Sequence, residues 1–297
     1  MRVMGDEKTM SDFANSQGQA LEKLENHLVS VIIPTRDSSR TLPICLSSVR
    51  SQRNVSVEVV VVDQESRDAS RTIAQKYGAS VIDIHRTAIY VPPSQSRNVG
   101  FSKSNGDYVL HLDSDMELSS PNLLSSCVSA CKEADVVVIP EIDIGKGFWA
   151  KCKSMERQCH FGRTILESPR FFRRDTFQAV SGYNTNITSG EDWELTDRLV
   201  EQGAIIGRVA PVIRHHLGEL SLEGQFMKKF GYGKKMIHYT RDAKGRMNRR
   251  IRMYVGAYAD NVKTLGLYIY PVLLMRSIEA VGLFTGMAFS KLTGESN

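Results

Sequence analysis

The chain has 297 residues and a formal net charge of +5, with 41% hydrophobic and 24% charged residues. Those fractions exclude a disordered chain and a collagen-like repeat, and the length suits one large core with an added piece. The charge is uneven: Arg241, Lys244, Arg246, Arg249, Arg250 and Arg252 crowd one segment just ahead of the most apolar part of the chain.

Residues 1–27 are polar and lack an apolar h-region, so they read as a tail without a secretory signal, with a helix expected around residues 20–28. Val29-Ser30-Val31-Ile32-Ile33-Pro34 and the valine run from Val57 to Asp63 are β-branched stretches that read as buried strands of a parallel sheet. Between them Leu42, Cys45, Leu46 and Val49 fall at helical spacing, which predicts a helix over residues 41–52. The rhythm repeats with a helix over 70–77 closed by Gly78, a strand over 80–84, a helix over 94–104 closed by Asn105-Gly106, and a strand over 108–112. Right-handed crossovers of this kind build an open α/β sheet whose ligands sit beyond the carboxyl ends of the strands. Pro34-Thr35-Arg36-Asp37, Asp63-Gln64-Glu65-Ser66 and Asp113-Ser114-Asp115 all fall at those ends, three polar clusters on one rim.

A buried strand has no structural use for two carboxylates at its end. Placed there, Asp113 and Asp115 can hold a divalent cation, Mn2+ or Mg2+, and the phosphates it neutralises. A further strand is expected over 135–140, a helix over 148–161 and a strand over 170–172. Gly190-Glu191-Asp192-Trp193 then follows a turn-rich stretch and precedes the helical residues 195–202, so it offers a carboxylate at a helix start that can serve as a general base. Each of these residues also has a structural reading: Asp63, Asp68 and Asp192 as helix caps, with Glu191 then the base, and Arg97 as a surface arginine. The five cysteines include no CxxC pair and read as structural or free thiols, which suits a reducing cytoplasm.

Five segments in order, VSVIIPTRD, VVVVDQESRDAS, SQSRNVG, YVLHLDSDMEL and VSGYNTNITSGEDWELTDRLVEQG, resemble the family 2 glycosyltransferases of the GT-A fold over residues 29–220. The resemblance implies a UDP- or GDP-linked sugar donor, a divalent metal, and single displacement with inversion at the anomeric carbon. Matched residue by residue, Asp192 is the base with Glu191 beside it, and Asp115 holds the cation with Asp113 nearby on metal or ribose. Asp63 accepts from the nucleobase, Pro34, Thr35, Arg36 and Asp37 flank it, and Arg97 and Asn98 face the ribose or diphosphate. His215 or His216 would bind metal or phosphate, at most one of them facing the site if both lie on a strand.

Beyond residue 220 the α/β pattern ends. A basic-aromatic helix is expected over 225–239, with Lys228, Lys229, Tyr232, Lys234 and Lys235 as ligands for an acceptor phosphate. The apolar stretch over 265–290 could cross a bilayer at about 1.5 Å per residue. Arg276 and Glu279 near its middle would each cost about 2.5–3.5 kcal/mol there unless paired or in contact with protein. Pro271 and Gly282 suggest two shorter helices lying in the interface, and the alternative is a cover for the catalytic domain or a homodimer face. The arginine cluster favours anionic headgroups, at about 1 kcal/mol per basic residue.

The expected organisation is an N-terminal tail (1–28), an α/β, Rossmann-like GT-A domain (29–220), and a C-terminal helical, membrane-associated extension (221–297). The expected activity is metal-dependent, inverting glycosyl transfer at the cytoplasmic face of the membrane to a lipid-linked acceptor of the polyprenyl-phosphate type. Rivals are a soluble-acceptor enzyme of the same fold and a nucleotidyltransferase, whose Gly-rich phosphate loop is absent from Pro34-Thr35-Arg36-Asp37. Nucleic acid is not an expected partner, because the arginines adjoin an apolar stretch and not stacking aromatics.

Overall fold

The computed structural model describes residues 27–85, 91–164, 166–187, 190–235 and 244–293, without the side chains of residues 235 and 244–250. The helix expected around residues 20–28 falls almost wholly outside that set, and Leu28 opens a strand. Arg241 and the side chains of Lys235, Lys244, Arg246, Arg249 and Arg250 also lie outside it.

β1 (Leu28–Thr35) and β2 (Ser56–Asp63) pair in parallel from Leu28↔Ser56 to Thr35↔Asp63, so Thr35 and Asp63 finish side by side. Around them run α1 (Leu42–Arg50), α2 (Ser70–Lys76), β3 (Ser80–Asp83), α3 (Pro93–Ser102) and β4 (Tyr108–His111). Helices cover both faces of these strands, which is why their Val and Ile runs are continuous rather than alternating. Then come β5 (Met116–Leu118), α4 (Leu123–Ala130), β6 (Val136–Val138), β7 (Glu141–Lys146), α5 (Phe148–Gln158), β8 (Phe171–Arg173), α6 (Arg174–Ala179), α7 (Glu191–Glu201), β9 (Ile206–Arg208) and β10 (Ile213–Glu219).

The main sheet has seven strands in the order β3-β2-β1-β4-β8-β6-β9, and β5-β10-β7 form a second, smaller sheet. β8 runs antiparallel to both β4 and β6. Strand order reverses at β1, so the crevice for a ligand opens beyond the carboxyl ends of β1 and β4, where Thr35 and Asp113 emerge. The strand expected over 135–140 is split: β6 stops at Val138, and Pro140, which has no amide to donate, precedes β7 of the second sheet.

The C-terminal part is α8 (Leu222–Lys235), α9 (Lys244–Asp260), α10 (Val262–Leu265), a 3-10 turn (Gly266–Tyr268) and α11 (Ile269–Thr293). The expectation of two short helices broken at Pro271 and Gly282 is corrected, because α11 is continuous over 25 residues. Pro271 sits in its first turn, where a missing amide costs nothing. Gly282 lies at a close crossing instead: a Cβ there would meet the Phe226 carbonyl of α8, and one at Gly286 would meet that of Phe230. The two mid-helix charges turn inward. Arg276 pairs with Glu279 at 2.6 Å and with Glu156 of α5, and Glu279 accepts from Lys153 at 3.0 Å. Glu156, at 1% exposure, also accepts from the Tyr258 hydroxyl of α9. Glu156→Ala leaves Arg276 one carboxylate short, and a loss on the order of 3 kcal/mol in unfolding free energy by urea titration is expected.

Candidate active site

The loops after β1 and β2 are stitched into one platform. Asp37 takes a left-handed backbone (φ +47°), which Asp tolerates better than most residues; its amide donates to Ser66 Oγ at 3.0 Å and its Oδ1 accepts from the Arg67 amide at 2.7 Å. Asp68 receives the amides of Ser39 and Ser70, both at 2.9 Å, so it is the residue that holds the first turn of α2. Asp63 is different. It is 1% exposed, its Oδ2 accepts from the Ser66 amide at 3.0 Å, and its Oδ1 is buried with no partner among the described residues. A buried carboxylate oxygen without a donor is costly, and this atom is free to accept an N–H. Thr35 is buried against the Ile33 carbonyl, and Arg36 and Asp37 stand exposed beside it.

Arg97, expected to face the ribose or diphosphate, is engaged by three carboxylates. It is 3% exposed, and from α3 its Nη2 donates to Asp113 Oδ1 at 2.8 Å while its Nη1 reaches Asp192 Oδ1 at 3.1 Å and Glu191 Oε1 at 3.5 Å. One guanidinium therefore ties the first carboxylate after β4 to the carboxylate pair opening α7. The Asn98 side chain donates to the Tyr183 carbonyl at 2.8 Å and accepts the Tyr183 amide at 2.9 Å, fixing the turn ahead of α7. Burial would raise the pKa of Asp113, but Arg97 and Arg170 outweigh it and hold the group well below the usual carboxylate range. Glu191 goes the other way, pushed up to about 7 by burial first and by the neighbouring Asp192 charge second, against the pull of Arg97.

From Asp113 an alternating chain of charges runs round to Asp115. Asp113 Oδ2 lies 3.4 Å from Arg170, Arg170 holds Glu141, Glu141 lies 3.5 Å from Arg157, and Arg157 donates to Asp143 at 3.3 Å. Asp143 meets His215 Nδ1 at 3.2 Å, and His215 Nε2 stands 3.3 Å from Asp115. Burial alone would lower the His215 pKa, but the Asp115 and Asp143 carboxylates raise it to about 9. His216 alternates to the other side of β10 and bonds Glu117 at 2.9 Å, so the metal assignment to it is withdrawn. The sequence reading missed Glu141, Asp143, Arg157 and Arg170. Glu141 and Asp143 were detectable, since they alternate with Ile142 and Ile144 and so share one face of β7.

No group of three or more His, Cys, Asp or Glu side chains among the described residues is arranged to hold a metal by itself. The donor set still fits a hard cation of the Mg2+ or Mn2+ type, which is commonly held by one or two carboxylates plus substrate phosphates. Asp115 is the more exposed of the acidic pair, and Asp143 on Nδ1 leaves His215 Nε2 aimed at it, the orientation a carboxylate gives a ligating imidazole.

Asp113, Glu191, Asp192 and His215 line one side of a cavity of about 460 Å³. Lys229 and Tyr232 of α8 and Leu283 of α11 line it as well. Lys228 is exposed outside it, and Lys234 lies 5.0 Å above the Phe289 ring, so Lys229 is the one cation of α8 that reaches the cavity among the described residues. Burial pushes Lys229 down to about 8, nearby Glu279 opposing and Lys153 and Arg276 adding to the shift.

The raised Glu191 pKa has a consequence for stability. Between pH 4.5, its ordinary value, and about 7 the folded protein keeps a proton that the unfolded chain has released. This contribution is full below 4.5 and is lost as the pH rises through 7. Glu191→Gln should flatten the fall of Tm across that window, measured by differential scanning calorimetry.

A parallel sheet with reversed strand order, extended by antiparallel β8 and fronted by paired carboxylates, is the fold of the GT-A glycosyltransferases. The chain matches the model of Glycosyl transferase family 2 over residues 30–189 and belongs to that family. A PGL/p-HBAD biosynthesis glycosyltransferase of Mycobacterium bovis (strain BCG / Pasteur 1173P2) is 27% identical over 218 residues, 68% of this chain and 83% of the relative. Mannosyltransferase PcManGT of Pyrobaculum calidifontis, solved with GDP-Man and Mn2+, superposes with a TM-score of 0.58 at 13% identity, over 94% of this chain and 93% of its own. S. aureus TarS 1–349 with UDP gives 0.53 at 19% identity, over 89% and 91% of the two chains. The chain spans 55% of the longer TarS chain.

Proposed function

We propose that this glycosyltransferase moves a sugar from a UDP- or GDP-linked donor to a lipid-linked or membrane-proximal acceptor, with inversion and with a divalent cation. The observation that carries the reading is the Arg97 clamp, which sets Asp113 and Asp192 against one cavity. Asp63 Oδ1, buried and unpaired, receives a base N–H, and the stitched loop from Pro34 to Asp37 flanks that base. Asp115, with Asp113 and His215 at hand, holds the cation, whose chemistry when bound is to neutralise charge developing on the leaving diphosphate.

Asp192 accepts the proton of the acceptor hydroxyl as its oxygen bonds to the anomeric carbon, while the nucleoside diphosphate departs with the electron pair of the broken bond. Arg97 holds the Asp192 carboxylate in place at the cavity, and Glu191, holding its proton near neutrality, spares Asp192 a second negative neighbour. The acceptor enters between α7 and the α8–α11 pair, past the apolar Leu283 and Trp193. Its phosphate, where it carries one, meets Lys229. The boundaries that go with this reading are a catalytic domain over 29–220 and an extension over 221–297.

Lys229→Met should raise the acceptor KM about 10- to 100-fold, the scale of one charge-assisted hydrogen bond, and leave donor affinity unchanged. The test of the reading as a whole is donor binding by calorimetry: UDP or GDP should bind the wild type, and Asp63→Ala should weaken it. No binding by either nucleotide would remove the proposal.

A further inference from the structure

We infer that α11 lies in the plane of an anionic bilayer surface as an anchor and does not cross it, a refinement that rests on the membrane reading above. The polarity of α11 is inverted relative to a helix that faces water. Between Tyr270 and Phe289 its exposed residues include Leu273, Leu274, Val281 and Phe284, and none is Asp, Glu, Lys or Arg. Its two interior charges, Arg276 and Glu279, point instead into the protein. Exposure reaches 71% at Tyr270 and 66% at Phe284, and the preceding turn presents Leu267 at 82%.

Length alone would allow a span, since 25 residues rise about 37 Å. The partners of the charges forbid it. Arg276 and Glu279 are held by Glu156 and Lys153 of α5, and α5 packs on β7 and β10 beside the cavity. Sinking the middle of α11 to the bilayer centre would drag α5, with its exposed Lys151, into hydrocarbon. An in-plane helix wets only the face that is already apolar.

Charge selects the bilayer over a second copy of this chain as what covers that face. Residues 221–297 hold thirteen Lys and Arg against five Asp and Glu, whereas the rest of the chain holds twenty-five against twenty-eight. A two-fold dimer through α11 would bring two such basic extensions together, and an anionic headgroup layer would attract them. With α11 in the plane, Leu283 faces the cavity while its neighbours Val281 and Phe284 face lipid, so an acceptor anchored in the leaflet reaches Asp192 sideways.

The test uses full-length protein carrying a tag at each end, mixed with sealed phosphatidylcholine vesicles with and without phosphatidylglycerol. Binding should require the anionic lipid, and added protease should remove both tags. Protection of the C-terminal tag would mean a span and overturn the inference. The double variant Leu274→Asp, Phe284→Asp should keep its helical circular dichroism and bind vesicles at least about tenfold more weakly. In case that variant misfolds, a fluorophore on Val281→Cys should be quenched by lipid-borne quenchers just below the headgroups. A label buried in a stable solution dimer that ignores vesicles would also overturn it. UDP and GDP binding measured on the same samples separates the two readings: vesicle docking with neither nucleotide bound faults the proposed donor reading, and the converse faults this one.

Discussion

Asp192→Asn is expected to lower turnover by about 10²–10⁴-fold while leaving nucleotide-sugar affinity close to wild type. The amide keeps the shape of the side chain and can still meet Arg97, but it cannot take the proton from the acceptor hydroxyl. Arg97 remains paired with Asp113 and Glu191, so no buried cation is left unpaired and the fold should hold. Single-turnover rates and donor calorimetry on the same sample separate the step from binding. Should Glu191→Gln show this pattern and Asp192→Asn not, the base is one residue earlier than proposed.

Asp115→Ala is expected to bring transfer to background. Its side chain is 42% exposed on the rim and its one described partner is His215, so its loss costs little stability. Asp113→Ala would lose activity too, but it is a poor test. It strips a carboxylate from the buried Arg97 and from Arg170, and a loss of about 3–5 kcal/mol would confound the assay. The two acidic residues are thus separable: one is an exposed rim carboxylate, and the other is tied into a buried ion network.

The difference between those two residues was not legible in the sequence, although the sheet that carries them was. β1 and β2 read directly because both their faces are buried, which leaves an unbroken run of Val and Ile. The rim also read directly, because Asp63, Asp113 and Asp115 interrupt such runs where the strands end. What was lost was direction. Arg97 was expected to face the ribose or diphosphate, and nothing in the sequence showed that it spans three carboxylates from two distant segments, a fact that depends on how α3 and α7 meet. Asn98 beside it turned out to be a pin for the Tyr183 turn. In the circuit through Glu141, Arg157 and Asp143 the two carboxylates alternate legibly along β7, but Arg157 lies more than ten positions away on α5, and no local spacing announces that it joins them. For α11, composition correctly marked an apolar stretch but put a break at Gly282, where the missing Cβ serves a close helix crossing.

The measurement that bears most directly on the proposed activity is nucleoside diphosphate release by the full-length protein from a panel of UDP- and GDP-sugars, run with Mn2+ and again in excess EDTA. Release from at least one donor with Mn2+, falling to background in EDTA and in Asp115→Ala, is the expected result. Undiminished release in EDTA, or full activity of Asp115→Ala, would contradict metal-assisted transfer at this site.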